Sequence, residues 1–275
     1  MSSHPTIRLI LSDIDNTILP RGAARVSPRT VAAFHAAMDA GILVGPSTGR
    51  GISWIPPFFG GDEACCATAV ATNGLQIYLG GEKVLEKTLD PAALEHLRAL
   101  VAKVPHAGLI VFDGGTPLLV EGSRDDLRVA FPAYGEACVP VDRLPGKPII
   151  KCNVFSNLDE PQMAELVRML NDEVPELDVD RALPNSSNVM EHGWNKGAAV
   201  RWLCDRLGIG LDEVMVFGDA DNDLPMFHAV PNAVAVANAT KPAADAARWH
   251  IGACADDAVA GAIEALARGE WPFEQ

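Results

Sequence analysis

The chain has 275 residues, of which 48% are hydrophobic and 21% are charged, and its formal net charge is −14. This length and hydrophobic content suffice for one large domain or two smaller ones with a well-packed core. The negative charge argues against nucleic acid or an anionic membrane as a partner. No apolar run approaches the ~20 residues that a membrane helix needs, and the first residues lack the pattern of a signal peptide.

The cysteines show no sign of a disulfide framework or a metal-binding pair. None forms a C-x-x-C motif, and most have apolar neighbours. The sequence therefore predicts reduced, mostly buried thiols in a cytoplasmic protein. The six cysteines are Cys65, Cys66, Cys138, Cys152, Cys204 and Cys254.

The first third of the chain alternates between strands and a helix. Ser27 and Pro28 predict a helix start, because serine caps helix N-termini and proline fits the first turn, and Gly41 is a typical helix stop. Strand–helix–strand order favours a parallel sheet. The predicted strands are Ile7–Leu11, Ile42–Val44 and Ala67–Val70.

The middle of the chain has a different pattern. Apolar runs separated by glycine pairs predict β-hairpins at 75–85 and 109–121. Asp90 and Glu160 precede helical spacing, and Ile149–Phe155 is predicted to be a strand. Hairpins with intervening helices favour an antiparallel α+β module. We place this second domain at 80–190, inserted between two halves of the first domain, 1–79 and 191–275.

The last third returns to alternating helices and strands. Its predicted elements are the helix Lys196–Leu207, the strands Val214–Phe217 and Ala233–Ala237, and the helix Ala258–Ala267. This alternation is typical of the α/β class and matches the first third of the chain.

Two apolar segments, far apart in sequence, end at clusters of carboxylates. Asp13 and Asp15 follow the strand that ends at Leu11, and Asp219 follows the strand that ends at Phe217. Ligands of open α/β sheets bind beyond the carboxyl ends of the strands. If these strands are neighbours, their carboxylates form an oxygen-rich site that suits Mg²⁺ and a phosphorylated substrate.

Other polar residues occupy comparable positions. Thr48 lies just past a third predicted strand, where its hydroxyl and nearby N–H groups could hold a phosphoryl oxygen. Lys196 opens a helix, which is unfavourable for the helix dipole unless an anion lies nearby. Asn222 adds an amide to the second acidic cluster, and Asp223 adds a further carboxylate.

The motifs D-I-D-N-T, S-T-G-R, the lone Lys196 and G-D-A-D-N-D occur in the order seen in the haloacid dehalogenase superfamily, which this chain resembles. The inserted module, with Asn73–Gly74 before it and Asn238–Ala239 after the last motif, resembles the Cof-type branch with a large α+β cap, class IIB. The resemblance implies a Rossmann-like parallel-sheet core with helices on both faces plus an inserted cap. It also implies that 1–79 and 191–275 are catalytic and that 80–190 sets specificity.

The resemblance further implies a phosphohydrolase that acts on a small-molecule phosphate ester through an aspartyl-phosphate. Asp13 would be the nucleophile, and Asp15 would protonate the leaving oxygen and then activate water. Thr48, Gly49 and Lys196 would bind the phosphoryl group.

The same resemblance implies a Mg²⁺ cofactor. The Asp13 carboxylate, the Asp15 main-chain carbonyl and Asp219 would hold the ion. Supporting roles fall to Thr17, Asn222 and Asp223, of which Asp223 would orient Lys196 or a metal-bound water rather than ligate the metal.

By resemblance, the expected substrate is a phosphorylated sugar or sugar acid. Which compound it is, and the oligomeric state of the protein, cannot be read from the sequence. The candidate contacts to the leaving group are Arg50, Asn73, Lys151, Arg181, Asn185 and Asn188.

Several alternatives remain open at this point. Asn16 stands where glycine is commonest in this branch, and Ser47 competes with Thr48 as the second-motif hydroxyl. A phosphomutase would use the same motifs, and a non-catalytic phospho-accepting or metabolite-binding protein would need no Asp15. Residues 45–49 also match G-x-S-x-G, the nucleophile elbow of serine hydrolases.

Overall fold

The computed structural model describes residues 4–180 and 184–273. The chain divides into two compact units. Unit 1 comprises Met1–Leu85 and Asn195–Gln275, and unit 2 comprises Glu86–Trp194. No helix within the described residues is long and apolar enough to cross a bilayer.

The elements are numbered here in chain order. The strands are β1 (Leu9–Ser12), β2 (Leu43–Pro46), β3 (Ala69–Ala71), β4 (Gln76–Leu79), β5 (Glu82–Glu86), β6 (Ala107–Asp113), β7 (Thr116–Glu121), β8 (Val139–Pro140), β9 (Cys152–Ser156), β10 (Leu177–Val179), β11 (Ser186–Glu191), β12 (Val214–Gly218), β13 (Asn232–Ala235) and β14 (Trp249–His250). The α-helices are α1 (Pro28–Asp39), α2 (Pro91–Val101), α3 (Arg124–Ala130), α4 (Pro132–Ala137), α5 (Glu160–Glu173), α6 (Lys196–Leu207), α7 (Leu224–Ala229), α8 (Lys241–Ala246) and α9 (Ala258–Ala267).

Unit 1 is built on a parallel sheet in the order β14-β13-β12-β1-β2. The central strand β1 pairs with β12 on one side and with β2 on the other, so that Ser12 lies level with both Phe217 and Pro46. A single parallel bridge from Ser47 to Val70 joins β3 to the far side of β2. The carboxyl ends of β12, β1 and β2 are therefore adjacent.

The apolar sequence of these strands follows from burial on both faces. All four residues of β1 are buried, as expected for a strand in a parallel sheet that helices cover on each side. Ile10 packs in one cluster with Phe34 of α1 and Ile263 of α9. Leu9 and Leu11 point to the opposite face by the alternation of the strand, and on the remaining side α6 packs against α7, which contacts β13. The predicted α/β core with helices on both faces is confirmed.

Local signals place the helix ends where the sequence predicted them. The Ser27 hydroxyl accepts a hydrogen bond from the Thr30 amide, which caps α1. Asn195 caps α6 in the same way, and Gly208 ends α6 in a left-handed conformation with φ +64°. Because α6 begins at Lys196, that side chain lies in its first turn.

Unit 2 is an α+β module with its own sheet, in the order β10-β11-β9-β6-β7-β8. Every pair in this sheet is antiparallel except β7 with β8. Phe112 and Phe155 pack with Leu127 of α3 on one part of the sheet. The antiparallel α+β pattern predicted for the middle of the chain is confirmed.

The unit boundaries differ from the predicted 79/80 and 190/191. Residues up to Leu85 stay in unit 1 because β5 hydrogen-bonds to β4 and extends the β3-β4-β5 sheet. At the other boundary, Trp194 and Glu191 belong to unit 2, where Lys87 pairs with Glu191 and lies 4.5 Å above the Trp194 ring. The catalytic and specificity roles of the two regions stay predictions.

Short elements account for most of the other differences. The predicted strand from Ile149 starts only at Cys152, because Ile149 forms a lone bridge with Leu89. The sequence analysis did not predict α3, α4, α7, α8, β8, β10, β11 or β14. These segments are short and have no long apolar repeat that would reveal them.

Candidate active site

The acidic residues and Thr48 follow three adjacent strand ends in unit 1. Asp13 follows β1, and its amide donates to the Phe217 carbonyl over 2.9 Å, which ties it to the end of β12. Asp219 comes directly after β12. On the other side, the Thr48 amide donates to the Val70 carbonyl over 2.8 Å. Strand order thus brings together residues that lie far apart in the chain.

A buried lysine joins two of the carboxylates. The Lys196 ammonium donates to Asp13 Oδ1 and to Asp223 Oδ1, each over 2.7 Å. Its side chain is fully buried. Burial alone would lower the pKa of Lys196, but the two carboxylates outweigh this effect and raise it. Lys196 is therefore a fixed positive charge beside Asp13.

Asp219 is held by polar contacts from two directions. The Thr17 hydroxyl donates to Asp219 Oδ1 over 3.0 Å, and the Asp219 amide donates to Asp223 Oδ2 over 2.9 Å. Burial, helped by the charge of Asp223, raises the pKa of Asp219 to about 7. Gly218 is required here, because a Cβ at this position would lie 2.5 Å from the Asp223 carboxylate.

The donor set fits a hard divalent cation. Carboxylate oxygens of Asp13, Asp219 and Asp223 lie within 4.8 Å of one another. Burial and the neighbouring acids raise the pKa of Asp13 well above its usual value, so this cluster would gain from a cation. Asp223 already uses both oxygens, one on Lys196 and one on backbone amides. Asp13 and Asp219 are therefore the carboxylates that could hold Mg²⁺, and the part of the Asp15 carbonyl stays a prediction.

The loop after β2 presents two hydroxyl groups. Thr48 is buried, and its Oγ1 accepts a hydrogen bond from the Arg50 amide over 3.2 Å, which leaves its proton available to a ligand. Ser47 Oγ is buried and has no hydrogen-bond partner among the described residues. An activated serine nucleophile needs a neighbouring base, so the structure does not support the serine-hydrolase alternative. Asn222 lies in the turn Asp221–Asp223.

A left-handed stretch, Thr72–Gly74, packs behind this loop, and the sequence analysis did not predict its role. Thr72 and Asn73 have φ values of +55° and +52°, and Gly74 has +101°. The Asn73 amide donates to the Thr48 carbonyl over 2.9 Å. Asn73 is buried against Gly49, so that a Cβ on Gly49 would lie 3.2 Å from the Asn73 side chain. The signal that could have found this support was T-N-G directly after a strand.

Asn16 also adopts a left-handed conformation, with φ +59°. Glycine and asparagine tolerate this region best, which explains why asparagine can stand where glycine is commonest in the branch that the chain resembles. The Asn16 carbonyl accepts a hydrogen bond from Asn238 over 2.8 Å.

Arg50, a candidate substrate contact in the sequence analysis, binds the carboxylate of Asp15, and its contact with substrate stays a prediction. Its guanidinium donates to both oxygens of Asp15, Nε to Oδ2 over 2.8 Å and Nη2 to Oδ1 over 2.7 Å. The Asp15 side chain remains 47% exposed.

The candidates in unit 2 form a separate polar group. Asn188 donates to Asp180 Oδ2 over 2.8 Å and accepts from the Asn153 amide over 3.0 Å. The Lys151 ammonium lies 5.1 Å from the centre of the Phe112 ring. The sequence analysis missed Asn153, which is buried and whose Oδ1 has no hydrogen-bond partner among the described residues.

Two further candidates were named for this region. The Asn185 carbonyl accepts from the Ser156 amide over 2.9 Å, and Arg181 lies outside the described residues.

Comparisons with known proteins identify the family of the chain. Residues 10–263 match the sequence profile of the haloacid dehalogenase-like hydrolases. A phosphoglycolate phosphatase of Pyrobaculum neutrophilum is 29% identical over 242 residues, 88% of this chain and 87% of that protein. The 5-amino-6-(5-phospho-D-ribitylamino)uracil phosphatase YbjI of Escherichia coli is 23% identical over 271 residues, 98% of this chain and 100% of that protein.

Solved structures show the same fold. The phosphatase BT1666 of Bacteroides thetaiotaomicron aligns with a TM-score of 0.82 at 20% identity, covering 95% of each chain. The HAD subclass IIB sugar phosphatase BT4131 aligns with a TM-score of 0.80 at 20% identity, covering 94% of this chain and 98% of that one.

Proposed function

Because the chain belongs to the haloacid dehalogenase-like hydrolase family and is a Cof-type phosphatase, we propose that it hydrolyses a small phosphate ester through an aspartyl-phosphate on Asp13. The observation that carries this proposal is the contact between Asp13 and the buried Lys196, with Asp219 beside them. A nucleophilic carboxylate, a fixed positive charge and a metal-binding carboxylate are what phosphoryl transfer requires.

In the proposed first step, an Asp13 oxygen attacks phosphorus and the bond from phosphorus to the leaving oxygen breaks. Asp15 gives its proton to that oxygen. In the second step Asp15 takes a proton from water, which attacks phosphorus and frees Asp13. Lys196 and the Thr48 hydroxyl bind the phosphoryl oxygens and stabilise their charge. Mg²⁺, when bound, would neutralise part of the negative charge on the phosphoryl group.

For the substrate, the names of relatives favour a phosphorylated sugar or sugar acid. Phosphoglycolate and a phosphoribityl compound are the substrates named for two of them, and BT4131 is named a sugar phosphatase. We assign specificity to the inserted region, in which Lys151 and Asn188 are the candidate contacts to the leaving group. We also propose that the rest of the chain forms the catalytic domain and that the protein is cytoplasmic.

The test is phosphate release from a panel of sugar phosphates and phosphorylated sugar acids. We expect turnover to need Mg²⁺, to stop with EDTA, and to fall at least about 10³-fold in Asp13→Asn, because the amide cannot act as the nucleophile. Asp39→Asn, an exposed change at the end of α1, is the matched control and should keep full activity.

Other outcomes would contradict parts of the proposal. Turnover that survives Asp13→Asn would exclude Asp13 as the nucleophile. Isomerised phosphate ester in place of free phosphate, with a requirement for a bisphosphate activator, would indicate a phosphomutase. No turnover on any compound by a folded, Mg²⁺-binding protein would favour a binding role.

A further inference from the structure

We infer that Arg50 is a positioning residue for proton transfer: its guanidinium holds the Asp15 carboxyl group in the orientation from which it serves the leaving oxygen and the attacking water. This inference rests on the proposed function. It assigns to Arg50 a different role from the substrate contact that the sequence suggested.

The contact between the two side chains is a two-pronged ion pair. Arg50 Nε donates to one oxygen of Asp15 over 2.8 Å, and Arg50 Nη2 donates to the other over 2.7 Å. A planar guanidinium that binds both oxygens fixes the plane of the carboxyl group as well as its distance. A lysine at the same position would supply a positive charge but would not fix the plane of the carboxyl group.

Arg50 is itself held in place by three further contacts. Its guanidinium lies 4.5 Å above the centre of the Phe58 ring, a favourable stacking arrangement for arginine. Its amide donates to Thr48 Oγ1 over 3.2 Å, and its carbonyl accepts from the Thr72 amide over 2.9 Å. Thr72 has φ +55°, a strained value for a β-branched residue that the surrounding structure must maintain. Arg50 is therefore a fixed support rather than a mobile surface side chain.

Asp15 needs such a support. Its side chain is 47% exposed, against 7% for Asp13, so packing alone leaves it free to change rotamer. Both hydrogen bonds that its carboxylate accepts from the described residues come from Arg50. Loss of these two hydrogen bonds would let the carboxyl group move away from the reacting atoms. Small displacements of a general acid or base lower the rate of proton transfer strongly.

The proton balance of the proposed step is simple. While Asp15 is protonated, the proton occupies one lone pair of one oxygen, and both oxygens still have a lone pair that faces Arg50. The O–H bond of Asp15 breaks as the leaving oxygen takes the proton, and the electron pair stays on Asp15. The carboxylate then takes a proton from water on the same oxygen. Arg50 stays protonated throughout.

The leaving group provides the test. A sugar hydroxyl leaves poorly without a proton, whereas p-nitrophenolate leaves readily as an anion. We expect Arg50→Met to lower the rate of leaving-group release in a single turnover about 10²-fold for the best sugar phosphate of the panel, the range of general acid catalysis, and less than about 5-fold for p-nitrophenyl phosphate. Leaving-group release is measured because the later attack of water on Asp13 is the same for both substrates. KM should change little for either substrate. Arg50→Lys should fall between wild type and Arg50→Met.

Two further variants sharpen the test. Phe58→Leu keeps the arginine but removes the ring beneath it, and should change the ratio of the two leaving-group release rates in the same direction by a smaller amount. Arg29 forms the same two-pronged pair with Glu264, over 2.8 and 2.7 Å, on the exposed surface of unit 1. Arg29→Met is the matched control and should leave the ratio unchanged.

Each outcome either supports or overturns the positioning role of Arg50. A selective loss of the leaving-group release rate on the sugar phosphate supports positioning. A rise in KM with this rate retained would assign Arg50 to substrate binding and overturn the inference. Equal losses of this rate on both substrates would overturn it too, because protonation of the leaving oxygen would not be the affected step. Absence of turnover in wild type would overturn both the inference and the proposed function, whereas turnover lost in Asp13→Asn but unaffected in Arg50→Met would overturn the inference alone.

Discussion

At the scale of single residues, the site depends on a charge that the fold has removed from water. Lys196 is fully buried between two carboxylates, and such an arrangement is stable only while each charge keeps its partners. The sequence singled out Lys196 because a lysine at the start of a helix opposes the helix dipole. The structure supplies the reason for tolerating it, since Asp13 and Asp223 accept its hydrogen bonds.

Lys196→Met should therefore lower stability as well as activity. Removing the ammonium leaves Asp13 and Asp223 buried without their partner, which costs about 3–5 kcal/mol. Urea unfolding of the metal-free protein measures this change. Lys241→Met removes a lysine from an exposed pair with Asp245 and should leave the unfolding midpoint unchanged. An equally stable Lys196→Met protein would contradict the assigned role of the buried charge.

Asn16 provides a second test at this scale. Its φ of +59° should make Asn16→Val cost about 1–2 kcal/mol, because a β-branched side chain is strained in this region. Asn16→Gly should remain within a few tenths of a kcal/mol of wild type, because glycine adopts the conformation freely. Thermal unfolding of both variants, free of metal, gives the comparison. A valine variant as stable as the glycine variant would show that the conformation is not enforced.

At the scale of elements, the decisive feature is the placement of β1 between β12 and β2. Each strand could be predicted from its apolar run, and each acidic or hydroxyl residue from its position after that run. Their mutual distances could not, because pairing between β1 and β12 depends on the packing of the whole sheet. The stretch Thr72–Gly74 acts at the same scale, since it packs between the loop of Thr48 and the start of α6.

The surroundings of Gly74 show how closely these elements pack. A Cβ at Gly74 would lie 2.8 Å from the Ala199 Cβ and 2.9 Å from the Asn195 carbonyl oxygen, next to Lys196. We expect Gly74→Ala to lower the unfolding temperature and to reduce activity. Gly80→Ala is the matched control, because Gly80 also has a positive φ, +61°, but no atom within 4 Å of such a Cβ.

The comparison separates two causes of instability. Gly80→Ala should lower the free energy of unfolding only by the strain of a left-handed alanine, about 1 kcal/mol, and should keep its activity. Gly74→Ala should lose clearly more stability and also activity. Equal effects in the two variants would mean that backbone strain, and not the contact with α6, makes Gly74 necessary.

At the scale of the whole molecule, the chain consists of two compact units, each with its own sheet. The ion pair of Lys87 with Glu191, and the stacking of Lys87 on Trp194, hold the two ends of unit 2 together. Unit 2 therefore has the properties of an independently folding domain.

Residues 86–194 expressed alone should consequently show circular dichroism of mixed helix and strand and a cooperative thermal transition. The fragment 80–190, with the boundaries predicted from sequence, should be less stable. It lacks Glu191 and Trp194 and carries the whole of β5 without its partner β4. The boundary assignment fails if the two fragments unfold at the same temperature, and the independence of unit 2 fails if neither unfolds cooperatively.

The sequence by itself determined the longer elements and the fold class of this protein, and it pointed to the chemistry that we propose. Apolar periodicity, helix caps and turn residues act over a few positions, so they specified α1, α6, α9 and the strands that carry Asp13 and Asp219. The ordered motifs specified the family. Only the tertiary structure decided that Lys196 is buried between Asp13 and Asp223, that Arg50 binds Asp15, and that Thr72–Gly74 supports the second-motif loop. These facts depend on contacts between segments distant in sequence, and burial and charge pairing arise only when the sheet has brought such segments together.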